Sequence, residues 1–348
     1  MNPIKKRYVA CDSHSVSPMS SSSENTLLHI RNQRDVGFFD LCSVDQIQKA
    51  EEFQLIFELA RAFRNTGTEK LSLCKGHSMI NAFFEHSTRT MSSFDLAAKH
   101  LGMDTHNVGS TSSVKKGESL LDTTETIDSY GLSVVVIRSR QAGVPEMISK
   151  HVRASILNAG DGWHEHPTQA LLDGLTMLDY FQTETLEGKV VTVVGDILHS
   201  RVFGSLVRLL AKLKATIRVA APDTFFPEES EKFGIQKFYN VEEALSGADV
   251  VYALRVQEER GSHGFIPTLR EYSKTFGISE KRFKLAKKNA ILMHPGPVIR
   301  DIDVHSALVA HPQSRILQQV ENGLAIRKAL LWLTSVRYDG KRKPFHHI

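Results

Sequence analysis

Along the chain, apolar residues come in two alternating forms: short continuous runs, and longer stretches spaced three and four apart. The runs HSMINAFF (77–84), LSVVVIRS (132–139) and ASILNAG (154–160) have the length and β-branched content of buried strands. The longer stretches predict amphipathic helices. SVDQIQKAEEFQLIFELARAFRN opens on Ser43 as a cap, and MSSFDLAAKHLG puts Phe94, Ala97, Ala98 and Leu101 on one face before Gly102 stops it. In the second half KVVTVVGDI, TIRVAAP, ADVVYAL and NAILMHPGP repeat the strand pattern, separated by helix-length segments such as FGSLVRLLAKL. HPTQALLDGLTMLDYF (166–181) predicts a helix that bridges the two halves, and VENGLAIRKALLWLTSV (320–336) a strong helix near the C-terminal end. Strands alternating with helices build parallel sheets covered on both faces. The expected fold is therefore α/β: two doubly wound domains with mainly parallel sheets, joined by bridging helices.

Composition agrees with that picture and narrows the partners. The 348 residues are 41% hydrophobic and 24% charged, as expected of a two-domain globular chain. A net charge of +4 without dense Lys/Arg runs beside aromatics suits small anionic ligands better than nucleic acid. Cys11, Cys42 and Cys74 are scattered and form no CxxC pair, which indicates neither a disulfide framework nor a zinc site and points to a reducing, cytoplasmic setting. No apolar segment is long enough to span a membrane. The polar opening, with serines at 20 to 23, reads as a disordered tail over residues 1–26; a transit peptide is the weaker alternative for so short a stretch.

One junction carries chemistry. FFEHSTRTMSSF (83–94) passes from an apolar run into a helical stretch through Ser87, Thr88, Arg89 and Thr90. A helix that starts this way presents unpaired backbone N–H groups, hydroxyls and a guanidinium at the positive end of its dipole, which is a phosphate cradle. A plain N-cap would use the same residue types. HEHPTQ (164–169) clusters His164, Glu165 and His166, but without HExxH or further ligands it does not make a metal site. VVGDILHSR has Gly195 and then Gly204 rather than the three spaced glycines of a dinucleotide fingerprint.

FFEHSTRTMSSF, SSVKKGESLLDT (112–123), NAGDGWHEHPTQALLD (158–173), VVGDILHSRV, LRVQEER (254–260) and MHPGP (293–297) resemble, in order and spacing, segments of the aspartate carbamoyltransferases. The resemblance implies a homotrimer that transfers the carbamoyl group of carbamoyl phosphate to the amine of L-aspartate, a step of pyrimidine synthesis, with no cofactor and no metal. It implies a carbamoyl-phosphate domain over 40–166 plus 316–338, a bridging helix over 167–179 and an aspartate domain over 180–312. Carbamoyl phosphate would be held by Ser87, Thr88, Arg89, Thr90, Arg138, His166 and Gln169. Ser112 and Lys116 would reach it from a neighbouring subunit, so that sites are shared. Aspartate would be held by Lys116, Arg201, Arg255, Gln257, Gly296 and Pro297. Arg89, Thr90, Lys116, Arg138 and His166 would carry the catalysis.

The sequence departs from the family at His86, where proline is usual, at Met91, where arginine is usual, and at Ser119, where threonine is common. Two alternatives stay open at this level: a sister carbamoyltransferase acting on ornithine or another amine, and a non-catalytic binding subunit of the same fold. RVQEER and HPGP, in place of the ornithine enzymes' SMG and HCLP segments, favour aspartate. Association with regulatory chains is not decided by sequence.

Overall fold

The computed structural model describes residues 22–33, 39–109, 119–226, 232–256 and 268–335. In chain order the elements are α1 (Ser22–Asn32), α2 (Ala50–Asn65), β1 (Ser78–Phe83), α3 (Thr88–His100), β2 (Asp104–Gly109), α4 (Leu120–Asp128), β3 (Val134–Ser139), α5 (Val144–Ser149) and β4 (Ser155–Asp161). Next come α6 (Pro167–Phe181), β5 (Val190–Val194), α7 (Arg201–Lys212), β6 (Thr216–Ala220), β7 (Gln236–Phe238), α8 (Val241–Leu245) and β8 (Val250–Ala253). The last are α9 (Leu269–Phe276), α10 (Glu280–Phe283), β9 (Ile291–Met293), α11 (Ser306–Val309) and α12 (Ile316–Ser335). Described residues up to Gly162, together with His166–Thr168 and those from Asn322 onward, form one compact unit; Trp163–Glu165 and Gln169–Glu321 form a second.

The first unit holds a parallel sheet in the order β2-β1-β3-β4. The chain winds outward from β1 to β2, then crosses back to lay β3 on the other side of β1. Successive connections leave the C-terminal ends of β1 and β3 in opposite directions, which opens a crevice there. Val135 and Ile137 of β3 and Ile156 of β4 join Ile127, Ile148 and Val152 in one buried cluster. On the other side Phe63 of α2 meets Trp332 of α12 edge to face, with ring centroids 5.8 Å apart. Lys328 of α12 is buried, and its ammonium donates to the Gly67 carbonyl just past the end of α2 at 3.0 Å.

Three local expectations are corrected. The tail expected over 1–26 is helical from Ser22, because α1 has packing to gain: Leu27 is buried and the Arg31 guanidinium lies 4.9 Å over the Trp332 ring. The helix expected from Ser43 is two pieces. Ser43 and Gln46 close a capping box around a single 3-10 turn, extended Ile47 ends it, and α2 starts afresh at Ala50 with Glu52 bonded back to the Lys49 amide. The strands β2 and β7 lie in segments with no strand signal. DTHNVG is polar because β2 is an edge strand, with Asn107 accepting from Asn81 at 2.8 Å and Thr105 donating to Asp95 at 2.6 Å.

The second unit holds a parallel sheet in the order β7-β6-β5-β8-β9, so its winding reverses between β5 and β8. Gly195 follows β5 at φ +134°, and a Cβ there would stand 2.5 Å from the Leu254 carbonyl after β8. This glycine therefore serves a close backbone approach at the reversal point. No helix of the described residues is long and apolar enough to cross a membrane.

Candidate active site

In the first unit the candidate residues gather at the C-terminal ends of β1, β3 and β4. β1 ends at Phe83, and four residues later Ser87 takes the N-cap position of α3 in an extended conformation. Its side chain makes no capping hydrogen bond, and the first turn of α3 contains no acidic residue. The hydroxyl that would ordinarily satisfy a first-turn amide is not spent on it, so the positive end of α3 keeps donors for an anion. Thr88 and Arg89 are exposed, and Ser87 and Thr90 half-buried. The basic residues Lys99 and His100 sit at the opposite end of the helix, where the dipole favours them.

Arg138 stands beside this cradle through strand register. It pairs with Phe83 across β1/β3, and its carbonyl accepts from the Phe84 amide at 2.9 Å. The β3/β4 register shifts between Ile137 and Ser139, where β4 carries the extra residue, so that Arg138 stands opposite Ala159 and Gly160 together. The guanidinium is pinned by the Ala159 carbonyl at 3.0 Å and by Glu85 at 3.4 Å. His166 is buried, 5% exposed, directly before Pro167 at the start of α6.

In the second unit, Gln169 lies in the first turn of α6 and donates through Nε2 to Asp173 Oδ1 at 3.0 Å. Arg201 is buried at the first position of α7, where Ser200 caps the helix by accepting from the Phe203 amide at 3.2 Å. The approach to Arg201 is fixed by Asp196, which accepts from His199 Nδ1 at 2.9 and 3.1 Å and from its amide at 3.1 Å. Arg255 is half-buried just past β8. Arg201 and Arg255 thus follow the two strands that flank the second reversal point. After β9, Gly296 is joined to Pro297 by a cis bond, and its amide donates to His294 Nδ1 at 2.8 Å. Ser112, Lys116 and Gln257 lie outside the described residues.

Several supporting residues lie inside the quoted segments without having been singled out there: Glu85 against Arg138, Asp196 and His199 before Arg201, and Asp173, whose partners Tyr252 and Gln319 lie outside them. Glu165 is buried and accepts from Ser205 Oγ at 2.8 Å, with Arg208 Nε at 3.5 Å, which ties the segment before His166 to α7. Tyr252, fully buried, donates to Asp173 Oδ2 at 2.7 Å, and its pKa is raised well above 10 by burial first and by the Asp173 charge second.

Residues 40–179 match the model of the aspartate/ornithine carbamoyltransferase carbamoyl-P binding domain, and residues 187–334 match that of the Asp/Orn binding domain of the same family. The chain belongs to the aspartate/ornithine carbamoyltransferase family. It is 46% identical over 292 residues to the aspartate carbamoyltransferase catalytic subunit of Ruminiclostridium cellulolyticum, covering 83% of this chain and 93% of that one. With the corresponding subunit of Natranaerobius thermophilus it shares 49% over 266 residues, 76% and 84% of the two chains. Among solved structures, aspartate transcarbamoylase from Trypanosoma cruzi in complex with carbamoyl phosphate superposes with a TM-score of 0.76 at 32% identity, over 84% of this chain and 95% of that one. Ornithine carbamoyltransferase from Thermus thermophilus gives the same TM-score at 24% identity and attests the shared fold.

Proposed function

We propose that the chain is an aspartate carbamoyltransferase, transferring the carbamoyl group of carbamoyl phosphate to the amine of L-aspartate to give N-carbamoyl-L-aspartate and phosphate. The observation that carries this reading is the start of α3: an N-cap serine whose side chain does not cap, followed by Thr88, Arg89 and Thr90, at a sheet-reversal point beside Arg138. That arrangement suits the terminal phosphate of an acyl phosphate, with Arg89 forking two oxygens and the hydroxyls donating to the rest. Family relatives named aspartate carbamoyltransferase support aspartate as the acceptor. So do Arg201 and Arg255, since two guanidinium groups match a dicarboxylate and would repel the side-chain ammonium of ornithine.

In this reading the amine attacks the carbonyl carbon, the carbonyl oxygen gathers negative charge, and the C–O bond to phosphate then breaks, the departing phosphate taking the proton that the amine nitrogen loses. Arg138, Thr90 and an N–H of His166 donate to the developing oxyanion, and the α3 cradle stabilises the departing phosphate. Gln169 holds the carbamoyl nitrogen, and Gly296 and Pro297 shape the aspartate side. The chemistry asks for no covalent nucleophile and no metal. We assign to the same reading Gln257 on aspartate, and Ser112 and Lys116 on a neighbouring subunit's substrates, in a cytoplasmic homotrimer with shared sites. The buried thiols of Cys42 and Cys74 accord with a reducing compartment.

The test is transfer of labelled carbamoyl from carbamoyl phosphate, with aspartate and ornithine as parallel acceptors. Carbamoyl-aspartate alone is expected; carbamoyl-ornithine, or no product from a folded protein, overturns the reading. Sharing of sites is tested by mixing Lys116→Ala with Arg89→Ala chains. Recovered activity is expected, and mixtures as inactive as the parents would refute it.

A further inference from the structure

Gln169 is an amide, and an amide can offer a ligand either its NH2 or its oxygen. Those two presentations select opposite partners, so whatever fixes the amide decides which substrate is accepted. In this structure Gln169 Nε2 donates to Asp173 Oδ1 at 3.0 Å. The same Oδ1 accepts from Gln319 Nε2 at 2.7 Å, while Oδ2 accepts from the Tyr252 hydroxyl at 2.7 Å. Gln319 cannot turn round, because its Oε1 accepts from the His294 amide at 3.0 Å and its nitrogen must therefore face Asp173. All five residues are buried, with Gln169 the most exposed at 9%. Gln169 also lowers the Tyr252 pKa against the larger effects of burial and Asp173, as a donor to the phenolate would.

We propose that Asp173 is a positioning residue that sets the specificity of the donor site: by holding the Gln169 nitrogen, it turns the Gln169 oxygen to the substrate and so selects an acyl phosphate bearing NH2 over one bearing CH3. The proposal rests on the carbamoyltransferase reading and on Gln169 meeting the carbamoyl nitrogen. The NH2 of carbamoyl phosphate donates to that oxygen. Acetyl phosphate, which has a methyl group at the same place, leaves the oxygen unpaired in a desolvated site. The acceptor at Oδ1 is what matters, more than the charge. An asparagine at 173 can keep oxygen at the Oδ1 position, held there by the fixed Gln319, while its NH2 donates to Tyr252, whose hydroxyl reverses from donor to acceptor.

The experiment measures, in the full chain with aspartate as acceptor, the inhibition constant of acetyl phosphate relative to the KM for carbamoyl phosphate. Both constants are independent of the fraction of protein folded, so partial loss of structure does not move their ratio. The parent is expected to favour carbamoyl phosphate by about ten- to a hundredfold. Asp173→Asn keeps that ratio. Asp173→Leu, which removes the acceptor, and Asp173→Ser, whose shorter hydroxyl does not reach the Oδ1 position, bring it to within about threefold of unity. A collapsed ratio in Asp173→Asn, a parent-like ratio in Leu or Ser, or a parent that does not discriminate would each overturn the proposal. A parent that makes no carbamoyl-aspartate at all would instead refute the functional reading beneath it.

Discussion

Gly204→Ala isolates one contact that supports the site. Gly204 lies in the first turns of α7, where alanine should be the better helix former by about 1 kcal/mol. Propensity alone predicts stabilisation. A Cβ at this position, however, would stand 1.9 Å from the His164 carbonyl oxygen, and that atom is backbone with no rotamer to escape into. Real Cβ contacts essentially never fall below 3.0 Å, so α7 and the 163–165 segment must separate by roughly an ångström or more. The same separation pulls Glu165 from Ser205 and Arg208, and it leaves a buried carboxylate short of partners. Strain of about 1–3 kcal/mol together with a weakened buried hydrogen bond of about 1–3 kcal/mol exceeds the helix gain, for a net loss of about 1–5 kcal/mol.

The catalytic consequence comes through chain connection. His166 follows the displaced segment by one residue, and a 1 Å misplacement of a reacting group costs on the order of a hundredfold in rate. Urea unfolding gives the stability change, and steady-state kinetics give kcat and both KM values. The expected result is a lower midpoint and a kcat down by about a hundredfold. A Gly204→Ala protein at least as stable as the parent, with unchanged kcat, would refute the reasoning, because it would mean that the 163–165 segment is loose enough to step aside.

Two further predictions concern charge. Arg89→Lys keeps the positive charge at α3 but loses the fork; kcat/KM for carbamoyl phosphate should fall by about a hundredfold with the unfolding midpoint unchanged, and a loss under threefold would count against bidentate phosphate binding. His100 is held below its ordinary pKa by burial first, then by Lys328 and Lys70, so below about pH 6.5 the unfolded chain binds a proton that the folded one resists, and stability falls with acid. Lys328 is itself depressed by burial, only partly offset by Glu69, so its contribution makes stability rise with pH between its folded and unfolded pKa values. Lys328→Met should therefore flatten the alkaline rise and, by removing a charge that repels His100⁺, shrink the acid loss; stability measured by urea unfolding from pH 5 to 10 that kept both limbs would refute the coupling.

The parts of this fold that the sequence made readable are those whose burial is two-sided. Continuous apolar runs such as LSVVVIRS and VVTVV sit in the middle of sheets, and the period change to helix on either side marks α/β winding. The polar edge strands β2 and β7 gave no such signal, because one side of an edge need not be apolar. α1 was hidden for a related reason: a serine-rich start looks unpacked until Leu27 is buried and Arg31 finds Trp332, some three hundred positions away. Within the site, the residues that would meet substrate stand in motifs. Of the residues that aim them, Asp173 closes the segment NAGDGWHEHPTQALLD but Gln319 stands in none; the two are 146 positions apart, and nothing in either neighbourhood announces a hydrogen bond between them.

Placement explains how the candidate residues come together. Arg138 and the Ser87–Thr90 turn are about fifty residues apart, yet parallel register sets Arg138 opposite Phe83, at the last position of the strand that feeds the turn. The reversal of winding between β1 and β3 keeps the connecting helices from covering that edge, and the Ala159 carbonyl, in the stretch of β4 that carries the extra residue opposite Arg138, accepts from its guanidinium. In the second unit the same logic recurs with different side chains. Gly195 lets β5 and β8 approach where the winding reverses, and the chain leaves that point toward Arg201 on one side and Arg255 on the other. A parallel sheet thus supplies each unit with one open crevice, and the sequence spends its guanidinium groups and its uncapped helix start there. The Met91 departure lies one residue beyond the cradle, half-buried within α3, and removes none of the donors at this edge.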